Sequence, residues 1–497
     1  MKKITITILI LIISAYYATC QNEVEALRYS RTTFGGTARY MAMSGAFGAL
    51  GADFSTLSSN PAGIGLYKKS EFSFTPAFYN GRTASAYNGT SAGDSENNFN
   101  ISNVGFVFST PTANSKRSLL KNIQYGIGLN RINNFNNRML IEGYNSENSL
   151  IDTYVDDANG IYYGDIEDDY NGYYSFDLNP AWNLYMIDTI PGFDDQYYGI
   201  ISGGDVLQRK EVNSWGSTNE LLFSLGANLN DRVYIGGTFG FPFIRYFEEL
   251  RYSEIDTYNK HDNFTQLRIS DKLRTYGTGF NMKFGLIVRA TNWLRLGGSI
   301  HSPTWYSNMK DYWSTEFYNE GYNDDIPIYY SFPQNRYKLE TPWRAIGSVS
   351  FILWNTVLIS ADYEYVDFTK AKFRNKDFYG YNFSEENRVI SNIYTEAHNV
   401  RVGGEYRLGY FALRGGFGYY GSPFAKDNNG VRINDGEKVY YTGGCGFRYE
   451  NFFLDLAYAR SVSNEDYYLY GSQSISVNPV QNKLTTNNFL LTIGFRY

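Results

Sequence analysis

The last ten residues constrain the fold most. Phe489, Leu491, Ile493, Phe495 and Tyr497 alternate with Asn488, Leu490, Thr492, Gly494 and Arg496. Period two over about ten residues is what a tilted strand needs to cross a bilayer. The same pattern recurs upstream. Val439, Tyr441, Gly443, Cys445, Phe447 and Tyr449 share one face, with Tyr440, Thr442, Gly444, Gly446 and Arg448 opposite. Leu221, Phe223, Leu225, Ala227 and Leu229 oppose Leu222, Ser224, Gly226 and Asn228. Each apolar face suits lipid, and each small or charged face suits a lumen.

Fourteen such segments are predicted, near 69–80, 101–109, 121–131, 219–229, 232–246, 276–290, 293–301, 341–354, 356–366, 398–408, 410–420, 438–449, 451–460 and 487–497. From the third onward the connections alternate short and long. Asn230-Asp231, Thr291-Asn292, Asn355, Gly409 and Glu450 mark tight turns, and 132–218 is the longest connection. Short turns on one side and long loops on the other belong to a membrane barrel, with the loops outside. The predicted class is all-β: a 14-stranded antiparallel transmembrane β-barrel over residues 69–497.

Composition fits this reading. The chain has 497 residues, with 47 Tyr, 35 Phe and 48 Gly. Its mean hydropathy of −0.39 is too low for a helical membrane protein but not for a barrel, where alternate residues face water. The net charge of −6 argues against nucleic acid as a partner. Residues 1–20 read as a signal peptide: Lys2 and Lys3, an apolar run from Ile4 to Ile13, then Ala18-Thr19-Cys20 before Gln21. Lipoprotein processing at Cys20 is the alternative, which Thr19 fits poorly. Removal of Cys20 leaves Cys445 and no intramolecular disulfide.

Residues 21–68 are not strand-like. The stretch from Phe34 to Asp53 is rich in Gly and Ala and carries Met41, Met43 and Phe47. It leads into Asn60-Pro61-Ala62-Gly63. Small residues suit short helices and turns packed in a confined lumen, so this segment is predicted to be an N-terminal hatch. Pro61 fixes its own φ and steers Asn60 away from helix, which makes a defined bend.

At this point the sequence resembles the FadL-type outer-membrane transporters, a family that includes toluene and xylene channels. The resemblance rests on Arg39 to Ala46, on Asn60-Pro61-Ala62-Gly63, and on Arg401 to Tyr406, Leu413 to Gly416, Ser422-Pro423 and Thr341-Pro342-Trp343. It implies a 14-stranded barrel plugged by an N-terminal hatch. It also implies passive uptake of hydrophobic small molecules, such as long-chain fatty acids, across the cell outer membrane, with a lateral opening in the wall taking part. The expected partners are that ligand, membrane lipid and lipopolysaccharide, and the barrel-assembly machinery acting on the C-terminal strand. A monomer is expected.

No catalytic pattern stands out. His261, His301 and His398 are scattered, so neither a triad nor a metal set is read and no cofactor is expected. The acidic stretch from Asp152 to Tyr174 has the clustered carboxylates a calcium ion takes, but its spacing matches no EF-hand and it reads as a solvated charged loop. Arg401, Arg407, Arg414 and Arg448 lie on the lumen-facing parity. They can hold a ligand carboxylate or pair with Glu405, Asp362 or Glu364 inside the barrel. The alternative functions are an adhesion or structural barrel working through its Tyr-rich loops, and a haem-related receptor.

Overall fold

The computed structural model describes residues 22–497 apart from 113–117, 171, 202, 322–326, 332–333, 355, 377–381, 428, 433 and 472–473. The signal segment 1–20 and the Asn355 turn lie outside the described residues.

Alternation puts every second side chain of the wall into lipid. Phe223, Leu225, Phe239, Phe284, Leu456, Phe489 and Phe495 are exposed outward. Their lumenal neighbours Ser224, Thr238, Asp455, Leu490 and Thr492 are buried. The strands are β1 (Glu71–Tyr87), β2 (Thr90–Pro111), β3 (Leu120–Asn134), β4 (Val206–Leu229), β5 (Val233–Ile255), β6 (Gln266–Arg289), β7 (Leu294–His301), β8 (Arg344–Leu353), β9 (Val357–Asp367), β10 (Glu396–Leu408), β11 (Phe411–Tyr420), β12 (Lys438–Tyr449), β13 (Phe452–Tyr467) and β14 (Val480–Arg496). Each pairs antiparallel with its neighbours, and β14 closes on β1 from Glu71↔Arg496 to Ala86↔Gln481. The result is a closed 14-stranded barrel with no free edge in its wall at the short-turn rim. An apolar outer belt on a closed barrel places the protein in the outer membrane.

The short turns and the C-terminus share one rim. Ser70 and Tyr497 exchange backbone hydrogen bonds of 3.1 Å there. Asn230 and Asp231 both take positive φ (54° and 55°), which matches a tight hairpin turn to the twist of its strands.

Several strands run well past the predicted ends. β4, β5 and β6 have 24, 23 and 24 residues, about twice a bilayer crossing. The first connection, 81–100, is itself a continuous hairpin closed by Asn88-Gly89. These outer halves were not legible as strands because no lipid faces them, so nothing selects an apolar outer face. The segment Trp305–Glu320 continues the wall by pairing with the outer half of β6.

The acidic connection between β3 and β4 folds as a cap. A strand, Asn137–Asn145, lies along β4 and is followed by helices Leu150–Ala158, Tyr163–Asp168 and Leu178–Asn183. Ile151, Ile166, Leu178, Ala181 and Met186 pack there on Tyr87, Tyr252, Leu267 and Phe317 from the outer strand ends. Burial away from water, with Asp157 and Asp169 nearby, pushes the Asp177 carboxyl up to about 7. Its folded pKa lies above its ordinary value of 3.8, so the protonated form favours the folded cap. That contribution is complete below about pH 4 and is lost as pH rises through 7. The cap is therefore expected to be cleaved faster by a surface protease at about pH 8.5 than at about pH 5.5, relative to an unstructured control peptide. An equal ratio at both values would contradict the assignment.

Candidate functional site: the occupied lumen

Residues 22–67 pack against the inner face of the wall. Helix Glu23–Ser30 is capped by Asn22, whose side chain accepts from the Glu25 N–H. It lies at the loop end: Tyr394 donates to the Glu23 carbonyl at 2.9 Å, and Arg31 donates to the Gly436 carbonyl at 2.6 Å. From there the chain descends. Ala38–Ala42 forms a short helix against β12 and β13, and two 3₁₀ turns follow, Phe54–Ser58 and Pro61–Leu66. At the short-turn rim the Tyr67 hydroxyl donates to Glu71 at 3.0 Å.

Asn60 holds the bend. Its amide donates to the Gly48 carbonyl at 2.6 Å and to the Leu286 carbonyl of β6 at 3.3 Å, while its Oδ1 accepts from the Ala62 N–H at 3.1 Å. One side chain thus ties two limbs of the segment to each other and to the wall. Pro61 occupies the first position of the turn, where its missing N–H costs nothing.

Three polar anchors fix the segment further. The Arg39 Nε donates to Glu405 at 2.9 Å, and Glu405 also accepts from Arg407 and Arg414, each at 2.7 Å. Arg414 reaches Asp455 at 2.6 Å. Asp362 accepts from the Gly48 N–H at 3.1 Å. Ser59 offers its carbonyl to His301 and Ser299, both at 2.7 Å.

The wall is thinned by glycine where the segment touches it. A Cβ built on Gly236, Gly285, Gly297, Gly403 or Gly416 falls within 3.0 Å of segment atoms: Pro61 O, Asn60 Oδ1, Gly48 O, Met43 Cβ and the Met43 carbonyl carbon respectively. Three of those five partners are backbone atoms, which cannot swing aside. Gly285→Val is expected to cost about 1–3 kcal/mol of packing in the seated state and to loosen the segment without stopping barrel assembly. Faster proteolysis at Arg39 in a heat-modifiable variant would register this, and wild-type resistance would contradict it.

A seam in the wall lies beside the segment. The β2–β3 ladder ends at Asn103↔Asn130. Beyond it β3 bulges between Arg131 and Asn133, and the following strand 137–145 crosses the inside of the β1–β2 hairpin. Segment residues cover the opening. The Thr33 N–H donates to the Ile132 carbonyl at 3.0 Å, and the Gly36 N–H donates to Ser102 Oγ at 3.2 Å. Gly35 lies so close to the Arg131 carbonyl that no Cβ fits. On the outer face beside the seam Phe99 and Ile101 are exposed.

A cavity of about 80 Å³ lies between residues 29–35, Ser58, Ser59 and the wall. It has room for a few waters. Its walls are charged and paired: Lys283 with Glu220 at 2.5 Å, Arg344 with Glu364 at 3.1 Å, and Arg401 with Glu364 at 3.2 Å.

The four lumenal arginines therefore divide. Arg401, Arg407 and Arg414 are each engaged by barrel carboxylates, with Arg401 also 3.7 Å from Asp362. Arg448 differs in having no carboxylate at ion-pair distance among the described residues, and its Nε is buried with no hydrogen-bond partner, as is that of Arg401. The sequence reading missed Arg39 as an anchor and the glycine contact surface, and it expected a lateral opening without placing it. The recurrence of Gly at lumen-facing positions of successive strands was the available signal for the second.

No family model matches the sequence, and no curated protein does. Solved structures do. The P. putida toluene transporter TodX superposes with a TM-score of 0.54 at 11% identity, over 93% of this chain and 99% of that one. A Pseudomonas aeruginosa FadL homologue gives 0.53 at 13% identity, over 94% of this chain and 98% of that one. At such identities the likeness speaks for the fold, and the chain has the fold of the FadL-type outer-membrane transporters.

Proposed function

We propose that this protein passes hydrophobic small molecules through the outer membrane down their gradient, and that residues 33–36 gate a sideways exit at the β2–β3 seam. The single observation that carries the proposal is the seam itself. A barrel wall gains nothing from an unpaired ladder at membrane depth, where each unsatisfied backbone group costs several kcal/mol, unless the opening is used. The segment that covers it is held largely by hydrogen bonds and close contacts, so it can move without breaking a strand. The charged, paired residues lining the cavity below disfavour an apolar solute, which favours departure into lipid over descent through the barrel. Proteins of this fold include a toluene transporter, which supports the ligand class. Long-chain fatty acids are a second ligand of that class.

A reversible tether tests the gate. Thr33→Cys with Ile132→Cys places two thiols at residues whose backbones are joined by a 3.0 Å hydrogen bond. The native Cys445 faces outward and is not competing for them. Oxidised protein in proteoliposomes is expected to take up labelled toluene or oleate at background rate, and reduction is expected to restore uptake. Equal uptake in both states would remove the gate.

A further inference from the structure

We infer that the short-turn mouth of the barrel carries a binding site for the oxyanion head of an amphiphile, a carboxylate or phosphate borne on an alkyl chain. The ligand class overlaps the fatty acids of the transport reading, while the site stands on the rim pocket alone. The site is a pocket of about 420 Å³ at the rim where Lys68 and Lys69 lead into β1. Seven cations line it: Arg39, Lys68, Lys69, Arg295, Arg407, Arg448 and Arg496, and no carboxylate residue does.

Three of these are matched from outside the lining, Arg39 and Arg407 by Glu405 and Arg496 by Glu71 at 2.7 Å. Two are not. The Nε atoms of Arg448 and Arg295 are buried with no hydrogen-bond partner among the described residues, although Arg295 donates from Nη1 to the Leu50 carbonyl at 2.9 Å. Arg448 and Arg496 both lie over the Phe453 ring, at 5.9 and 5.2 Å. A ring holds a guanidinium in place but leaves its N–H groups free to donate. Unsatisfied buried donors among like charges are costly unless an acceptor arrives, and an oxyanion is the acceptor that also lowers the repulsion.

The pocket has an apolar side as well. Leu50, Leu66, Ile352 and Leu358 line it beside the arginines. A free inorganic ion has no use for that surface, whereas an alkyl chain does.

Calorimetry on the full-length protein in a neutral detergent tests the site with dodecyl phosphate, dodecanoate, dodecanol and inorganic phosphate as probes. Dodecyl phosphate and dodecanoate are expected to bind at least about tenfold more tightly than dodecanol or inorganic phosphate. Arg448→Gln combined with Arg295→Gln is expected to weaken both amphiphilic anions by about tenfold or more, and Arg448→Lys by less, with heat-modifiable mobility confirming a folded barrel. Equal affinity of the double variant for both anions would overturn the site. Dodecanol binding as tightly as dodecanoate would overturn the oxyanion, and inorganic phosphate matching dodecyl phosphate would overturn the amphiphile.

Discussion

Removal of residues 489–497 is expected to abolish surface display of the protein. β14 supplies the closing ladder: it pairs with β13 from Phe452↔Phe495 to Tyr467↔Val480 and with β1 from Glu71↔Arg496 to Ala86↔Gln481. Without its last nine residues, β1 and β13 face each other across a gap at membrane depth. Their N–H and C=O groups then have neither a strand nor water, at several kcal/mol each. Against a net stability of order 10 kcal/mol no rearrangement of side chains compensates. The segment is also bound to the lumen, since Thr492 accepts from the Ala38 N–H at 2.7 Å. The truncated chain is expected in the periplasm, degraded, with no heat-modifiable form. Normal outer-membrane levels would show that closure does not depend on this strand.

What was legible in the sequence tracks what lipid selects. Where a strand crosses the membrane, its outward residues must be apolar and its inward ones small or polar, and Phe489 to Tyr497 or Leu221 to Leu229 read plainly. Where the same strands rise above the membrane, as from Val206 to Thr218, water and the cap lie on both sides and the alternation fades. The strand starts there were set at 219 from sequence and lie at 206 in the structure. The cap escaped notice for the same reason: its acidic, Tyr-rich helices look like a solvated loop until Ile151, Leu178 and Met186 are placed on the strand ends.

The N-terminal segment was legible by composition and by the Asn60-Pro61 bend, but its path was not. Nothing local to residues 22–31 says that they pack at the loop end beside Tyr394 and Gly436. The Arg39–Glu405 link spans 366 positions, and only the fold brings the two together. The lumenal arginines were readable as a set by strand parity. Which of them keeps a carboxylate partner depends on neighbours several strands away, so Arg448 could not be told from Arg414.

The central claim is that residues 22–67 are a stopper held by reversible contacts, and removing most of it is the most direct test. Deleting residues 22–58 takes away the helix Glu23–Ser30, Arg39, the Gly48 contact with Asp362 and the cover of the β2–β3 seam. It leaves all fourteen wall strands intact. A 14-stranded lumen freed of this mass holds water. A gentler change, Asn60→Ala, removes three hydrogen bonds at about 1 kcal/mol each and is expected to alter uptake while leaving the barrel closed. In planar bilayers the wild-type protein is expected to be nearly silent and the deletion variant to show discrete, long-lived conductance steps. Wild-type silence in both, with normal ligand uptake by the deletion variant, would contradict the account.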